Sequence, residues 1–238
     1  MSALASTSGS FVREQLRAPL TLVLMVAIPA FFVLIFASVL GEFSKALGGS
    51  LVSRSATAIS AGWAAAFLSG TLAFFMVSSS RGADRRLAAA GLGAARVAGS
   101  RIAAALVLGV IVSGVAFITL WLRSGIGHLW HAAVAIFAFA AIYIGIGPIV
   151  GALVSGPLEG SLLVILVFSL DAFSGPQMTG GAIDAFTPTY HAANLLIAAA
   201  GGQASPGADW IGVLAVAFGS LAVALTAFWF AARARSSR

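Results

Sequence analysis

The 238-residue chain contains no cysteine and very little charge. Without cysteine it has no disulfide, no thiol nucleophile and no sulfur ligand for a metal. Only 8% of its residues are charged, whereas a soluble domain carries about 25%. Hydrophobic residues make up 60% of the chain, and the mean hydropathy is +1.05. This excludes an ordinary soluble globule and a disordered chain, and predicts an integral membrane protein.

The sequence also lacks the motifs of nucleotide binding and of common membrane enzymes. It has no G-x-x-x-x-G-K-[ST] loop, so it binds no nucleotide through a P-loop. His128 and His131 are three residues apart but have no third metal ligand nearby in the sequence. No Ser-Gly pair has the G-x-S-x-G frame of a serine hydrolase. We therefore expect no catalysis by this chain, and no metal or cofactor of its own.

The few charges are mostly arginine, and their distribution predicts an orientation. Lys45 is the only lysine among thirteen basic residues, and the net charge is +6. Such a basic chain could bind nucleic acid, but the excess of arginine on cytoplasmic loops of membrane proteins explains it better, so we expect no nucleic-acid partner. Ten basic residues fall on one side of the predicted membrane: Arg13, Arg17, Arg81, Arg85, Arg86, Arg96, Arg101, Arg233, Arg235 and Arg238. Lys45, Arg54 and Arg123 fall on the other, which places both termini in the cytoplasm.

Charge-free stretches predict six transmembrane helices, because a helix needs about 20 apolar residues to cross about 30 Å of hydrocarbon. The expected spans are about 20–41, 59–78, 102–122, 131–154, 159–174 and 210–232. The predicted fold is therefore an all-α integral membrane protein. Residues 1–19 form an N-terminal tail and amphipathic helix, residues 20–232 the transmembrane domain, and residues 233–238 a basic tail. The first apolar stretch is too long for a signal-peptide core, so we expect it to be retained.

Between the fifth and sixth spans the apolar pattern is broken. Asp171 interrupts an apolar run, and Ser174-Gly175-Pro176 is a cluster of helix breakers. We predict an external re-entrant helical region at 175–202, since broken backbone at membrane depth must be covered by protein or reached by water. Asp171 has two interpretations: a residue of a pathway or gate, or a residue at the outer end of a span.

Two cytoplasmic segments have specialised patterns. Residues 9–19 alternate apolar and basic side chains at helical spacing, which is typical of an interfacial amphipathic helix, although a plain basic flank has a similar composition. Residues 79–101 form the only long cytoplasmic loop. They predict a short helix at about 83–90, a break at Gly91 and Gly93, and a second helix entering the third span. The loop either docks a partner or is simply solvated.

The fourth span contains Gly147, Pro148 and Gly151. The two glycines have the small-xxx-small spacing that lets helices approach closely, and the proline removes a backbone hydrogen bond. The segment is therefore either a hinge or packing seam, or an instance of the ordinary abundance of glycine and proline in membrane helices.

Together these segments resemble the six-span permease subunits of type-2 ABC exporters, which export drugs, polysaccharides and lipids. Residues 9–19 are similar to that family's connecting helix, and residues 81–101 to its coupling loop. Residues 173–199 resemble its external re-entrant region, and the last span ends in basic residues as in the family. Two positions depart from the family pattern: Asp84 stands where a hydrophobic residue or threonine is common, and Arg101 replaces the usual lysine. The acidic residue that is common early in the family's cytoplasmic loop is also missing.

The resemblance implies a transporter that is assembled from several subunits. This chain would form half of a pathway with a second permease, identical or related, in a bacterial inner membrane. Two copies of a separate subunit would bind ATP and Mg²⁺. The implied ATPase-coupling residues are Arg81, Asp84, Arg85, Arg86, Leu87 and Leu92, and those of the connecting helix are Phe11, Arg13, Leu16 and Arg17. The implied pathway or gate residues are Asp171, Pro176, Gln177, Pro188 and His191.

Few ionisable residues lie in the predicted spans, so we expect a hydrophobic or amphipathic substrate such as a drug or lipid. Two other classes remain open. A secondary transporter or channel would show an inverted repeat with two matching broken helices, but only one irregular region is present. A non-transporting assembly or scaffold protein also fits the composition. An intramembrane enzyme fits least well.

Overall fold

The computed structural model describes residues 3–154, 156–178 and 187–233, and this part of the chain folds into helices without a strand. Helix accounts for 86% of the structure. In chain order the helices are α1 (Ala3–Leu16), α2 (Pro19–Ala46), α3 (Ser53–Ser78), α4 (Arg81–Leu87), α5 (Ala94–Ser124), α6 (Leu129–Leu153), α7 (Pro157–Phe173), α8 (Tyr190–Gly201) and α9 (Gly207–Arg233).

Five helices, α2, α3, α5, α6 and α9, are long and apolar enough to cross a membrane. The prediction of an all-helical chain with long apolar helices is confirmed, but the sixth span is not. Helix α7, expected as a span at 159–174, has 17 residues and is about 26 Å long. It still joins the two ends of the bundle. Gly160 in its first turn packs against Phe74 of α3. At the other end, the carbonyl of Gln177 in the turn after α7 accepts a hydrogen bond from the Ser44 hydroxyl.

Helices α3 and α6 form the centre of the bundle. They contact each other more extensively than any other pair, and most of each is buried. Their largest side chains, Trp63, Phe74, Phe139 and Tyr143, are fully buried. Helices α2 and α9 are peripheral and direct apolar side chains outward, as lipid-facing or partner-facing helices do. Pro29 of α2 is followed by a π-helical turn at Phe32–Phe36.

The bundle has two chemically different ends, named here by their residues. The basic end contains residues 78–101, 151–154 and 156–157, and the opposite end contains residues 46–53, 124–129, 174–178 and 201–207. Helix α8 stays at the opposite end. Its first turn follows Thr189, which bonds to Asp171, and the carbonyl of Ala199 in its last turn accepts a hydrogen bond from the His128 N–H at 2.9 Å. Within the predicted re-entrant region, residues 179–186 lie outside the described residues, as do residues 234–238 of the predicted tail.

Two spans begin earlier than the charge pattern predicted. Helix α3 starts at Ser53 and includes Arg54 in its first turn. Helix α5 starts at Ala94 and includes Arg101; its 31 residues extend about 46 Å, well beyond the hydrocarbon thickness. The reason is that a span prediction stops at a charge, whereas backbone hydrogen bonding continues through arginine, a good helix former.

Candidate functional site

Three segments that are separated in the sequence meet at the basic end. Phe11 comes from α1, Asp84 from α4, and Arg101 from the second turn of α5. Arg101 donates two hydrogen bonds to Asp84 Oδ1, from Nη2 at 2.8 Å and from Nε at 3.2 Å. The guanidinium carbon lies 3.8 Å from the centre of the Phe11 ring, a cation–π contact. We call these three side chains the coupling cluster.

The coupling cluster is buried, which makes its charges costly. Asp84 is 3% exposed and Arg101 is 5% exposed. Burial raises the pKa of Asp84, and the bonds and charge of Arg101 offset only part of that effect; the nearby Glu14 raises it slightly further. Asp84 Oδ2 has no hydrogen-bond partner among the described residues. A buried ion pair of this kind adds little stability, and its best-attested use is to fix one arrangement of the parts that it joins.

Arg81 connects α4 to the end of α6. Its guanidinium donates to the carbonyl oxygens of Gly151 and Val154. The last carbonyls of a helix lack intrahelical hydrogen-bond donors and carry a partial negative charge. An arginine there supplies both hydrogen-bond donors and a positive charge. The start of α4 is therefore attached to α6, and its middle is attached to α1 and α5 through the coupling cluster.

The other predicted coupling residues divide between two faces of α4. Leu87 and Leu92 turn inward and pack against a small apolar cluster of α3, α5 and α9: Val77, Val97, Ala98 and Phe228. Arg85 is half-buried and Arg86 is exposed. Ala83, Arg86 and Ala90 follow one another at helical spacing, and all three are exposed. Helix α4 and the turn that follows it thus have one face packed against the bundle and one exposed face.

Glycines separate α4 from α5. Helix α4 continues into a π-helical turn at Ala88–Leu92, in which Gly91 has a φ of +104°, and Gly93 follows with a φ of +77°. Both conformations disfavour residues that carry a Cβ atom. In α1, Arg13 and Arg17 are exposed, whereas Leu16 is half-buried against the core. The helix ends at Leu16 because Pro19 begins α2 and the residue before a proline avoids helical backbone.

The glycines of the fourth predicted span lie in the contact between α6 and α3. A methyl group on Gly147 would overlap the carbonyl oxygen of Gly70, and one on Gly151 would lie 3.3 Å from the Val77 side chain. Pro148 is buried within α6, which continues to Leu153. Gly147 therefore faces the backbone of α3 at close range, and Gly151 faces a side chain of the same helix.

Asp171 is held at the opposite end by neutral donors from two other elements. The Tyr143 hydroxyl donates to Oδ2 at 2.8 Å, and the Thr189 hydroxyl lies 3.0 Å from both carboxylate oxygens. The Thr189 N–H adds a bond of 3.3 Å to Oδ1, and Asp171 is 3% exposed. Asp171 therefore joins α7 to α6 and to the start of α8. The sequence analysis did not identify Tyr143 or Thr189 as site residues. The only signal in the sequence was Tyr143 itself, a tyrosine inside an apolar run.

Replacing Asp171 by alanine should loosen α8, because it removes every acceptor used by Thr189 and by the Tyr143 hydroxyl. We expect amide hydrogen exchange over residues 190–201 to become at least tenfold faster, as measured by mass spectrometry. Tyr143→Phe removes one of these bonds and should have a smaller effect. Exchange in Asp171→Ala no faster than in Tyr143→Phe would contradict this role.

The remaining gate candidates do not converge on one point. His191 Nδ1 lies 2.9 Å from Asp209 Oδ1 and links α8 to α9. Pro188 lies in the turn before α8, and Pro176 in the turn after α7. Gln177 has a φ of +66°, and its carbonyl faces the connection between α2 and α3. Within the described ranges no group of three metal-ligating side chains occurs.

The fold and these contacts define a class of protein: an all-helical bundle whose long apolar helices fit a membrane. Neither a family model nor a curated protein sequence matches the chain. A function for this chain is therefore inferred from the geometry of the molecule and from the resemblance of its segments.

Proposed function

We propose that this chain is the permease subunit of an ATP-driven ABC exporter, and that α4 is its contact with a separate ATP-binding subunit. The observation that carries the proposal is the coupling cluster, which joins the predicted connecting helix α1, the predicted coupling helix α4 and the start of α5. In this scheme α7 counts as the fifth of six spans, the basic end faces the cytoplasm, and a second permease completes the pathway.

The attachment of α4 supports a mechanical role. Arg81 connects α4 to α6 through hydrogen bonds, and Asp84 connects it to α5 through an ion pair. Leu87 packs against α3 and α9. A push on the exposed face of α4 is therefore delivered to several spans at once instead of being absorbed by a flexible loop. That face is made of alanines around one arginine, which allows a partner to approach closely. ATP and Mg²⁺ would bind in the partner, two copies of which dock per exporter.

The two departures from the family pattern compensate each other. An aspartate at position 84 would be unfavourable beside an apolar neighbour, and a buried arginine at position 101 would be unfavourable alone. Here each is the other's partner. The two departures are thus explained by one ion pair and do not count against α4 as the coupling helix.

The outward faces of the bundle support a hydrophobic or amphipathic substrate. Helices α2 and α9 expose large apolar side chains along their length: Leu20, Val23, Phe31 and Ile35 in α2, and Ile211, Phe218 and Phe230 in α9. A pathway built between two copies of such surfaces is apolar. Transport of a strongly polar or ionic compound would count against this part of the proposal.

The test is purification of the tagged chain from its native membrane in a mild detergent, with mass spectrometry and an ATPase assay. We expect a P-loop ATPase in equal amount and vanadate-sensitive hydrolysis. Arg86→Glu should reduce both several-fold, because it reverses the charge at the centre of the docking face without touching the coupling cluster. Replacing residues 81–87 by a Gly/Ser linker should abolish both.

The matched control is Arg123→Glu, which reverses an exposed arginine at the opposite end. It should leave the ATPase content unchanged. Loss of the ATPase in both variants would indicate a general effect of charge. Recovery of the wild-type chain without any ATPase, in a detergent that preserves other ABC complexes, would overturn the proposal.

A further inference from the structure

A cavity of about 330 Å³ with a mixed polar and apolar lining opens at the opposite end, between the start of α3 and the end of α8. Its polar side chains are Ser50, Arg54, Ser55, Gln177 and Gln203, and its apolar wall is formed by Val52, Ile197 and Ala200. The volume falls in the range of small-ligand sites. The cavity is remote from the coupling cluster, and ligand binding there would not depend on the proposed function.

The lining is positive and rich in donors. Arg54 is the only charged side chain among the described residues that line the cavity, and no acidic group there balances it. Ser55 is 8% exposed, and its hydroxyl makes no hydrogen bond within the part of the chain that the structure describes. Helix α3 begins at Ser53, so the unpaired N–H groups of its first turn lie beside the cavity. Guanidinium, hydroxyl and amide donors together match the oxygens of a phosphate.

Gln177 reaches the same cavity from the turn after α7. Its φ of +66° is a conformation that favours glycine and is strained in other residues. The backbone is held there because its carbonyl accepts the Ser44 hydroxyl at 2.8 Å and the Ser50 N–H at 3.1 Å. A glycine would make the same two bonds without strain. The backbone bonds therefore give no reason for a glutamine at position 177. The position of its side chain in the cavity lining gives one.

We propose that this cavity binds the phosphate group of an anionic ligand at the membrane surface. Arg54 is the counter-ion, and Ser55, Gln177 and Gln203 donate hydrogen bonds. The phosphate belongs either to a phospholipid headgroup, whose chains would leave past the apolar wall at Ile197, or to a free phosphate. Both sources present the same oxygens to the same donors.

The test is native mass spectrometry of the full chain in detergent, titrated with phosphatidylglycerol and, separately, with a diacylglycerol that carries the same acyl chains without a phosphate. We expect the wild-type protein to prefer the anionic lipid. Arg54→Gln should weaken binding of phosphatidylglycerol about tenfold, as expected for loss of one charged hydrogen-bond partner. Arg123→Gln removes another exposed arginine at the same end, outside the cavity, and should bind as the wild type does.

Two further measurements complete the test. Gln177→Gly relieves the strained backbone, so it should unfold at the same or a higher temperature while binding phosphatidylglycerol several-fold more weakly; this separates binding from folding. Displacement of the lipid by millimolar inorganic phosphate would assign the site to free phosphate, and its absence would assign it to the headgroup. Equal binding of the two lipids, or equal losses in Arg54→Gln and Arg123→Gln, would overturn the proposal.

Discussion

Replacing Asp84 by alanine should destabilise the protein by about 3–5 kcal/mol, because it leaves the buried guanidinium of Arg101 without its counter-charge. Arg101 is 5% exposed, and the ring of Phe11 covers one of its faces. Water therefore cannot replace the carboxylate without moving α1. The measurement is thermal unfolding in detergent, followed by tryptophan fluorescence, with the largest loss expected among single substitutions at the basic end.

Replacing both partners should restore most of that loss. The double variant Asp84→Leu/Arg101→Met substitutes an apolar pair of similar volume, and buried ion pairs so replaced are often neutral or more stable. The unsatisfied Oδ2 of Asp84, which has no partner among the described residues, strengthens this expectation since the double variant removes it.

The control is the exposed pair Lys45–Glu42 at the opposite end, whose side chains are 65% and 76% exposed. Glu42→Ala should change stability by less than about 1 kcal/mol, as is usual for surface ion pairs. If Asp84→Ala proved as mild as Glu42→Ala, then Arg101 would have access to water or to another partner, and the coupling cluster would not hold α1, α4 and α5 together.

Local features of the fold were accessible from the sequence, because each depends on neighbouring residues. Apolar runs of more than 20 residues give long helices, and only a few residue types tolerate the positive φ angles found at Gly91 and Gly93. The position of the first helix break also follows from one residue, Pro19, which cannot continue the preceding helix.

The contacts of the candidate site were not accessible, because they depend on how separate helices pack. Asp84 and Arg101 are 17 residues apart on different helices, and nothing in their local sequence pairs them. The sequence predicted a helix that enters the third span near Arg101, but it gave no sign that the Arg101 side chain bonds back to Asp84 of α4. Asp171 was recognised as unusual, but its partners Tyr143 and Thr189 come from two other elements.

The second large effect is expected in the contact between α3 and α6. Gly147→Ala should destabilise the protein by about 3 kcal/mol, at the upper end of the cost of overpacking. The added methyl group would overlap the Gly70 carbonyl oxygen and lie 2.9 Å from the Phe74 nitrogen. Both neighbours are backbone atoms, so no side chain can rotate away, and the two central helices must separate.

Two glycines provide matched controls for the same substitution, measured by the same unfolding assay. A methyl group on Gly114 of α5 meets no heavy atom within 4 Å, and alanine is a better helix former than glycine by about 1 kcal/mol, so Gly114→Ala should be neutral or stabilising. A methyl group on Gly70 meets the Tyr143 side chain at 3.0 Å, which can shift only slightly because its hydroxyl is bonded to Asp171. The expected order of stability is Gly114→Ala, then Gly70→Ala, then Gly147→Ala. That order separates a close backbone contact from a general intolerance of alanine in the central helices, since the substitution is chemically identical at all three positions.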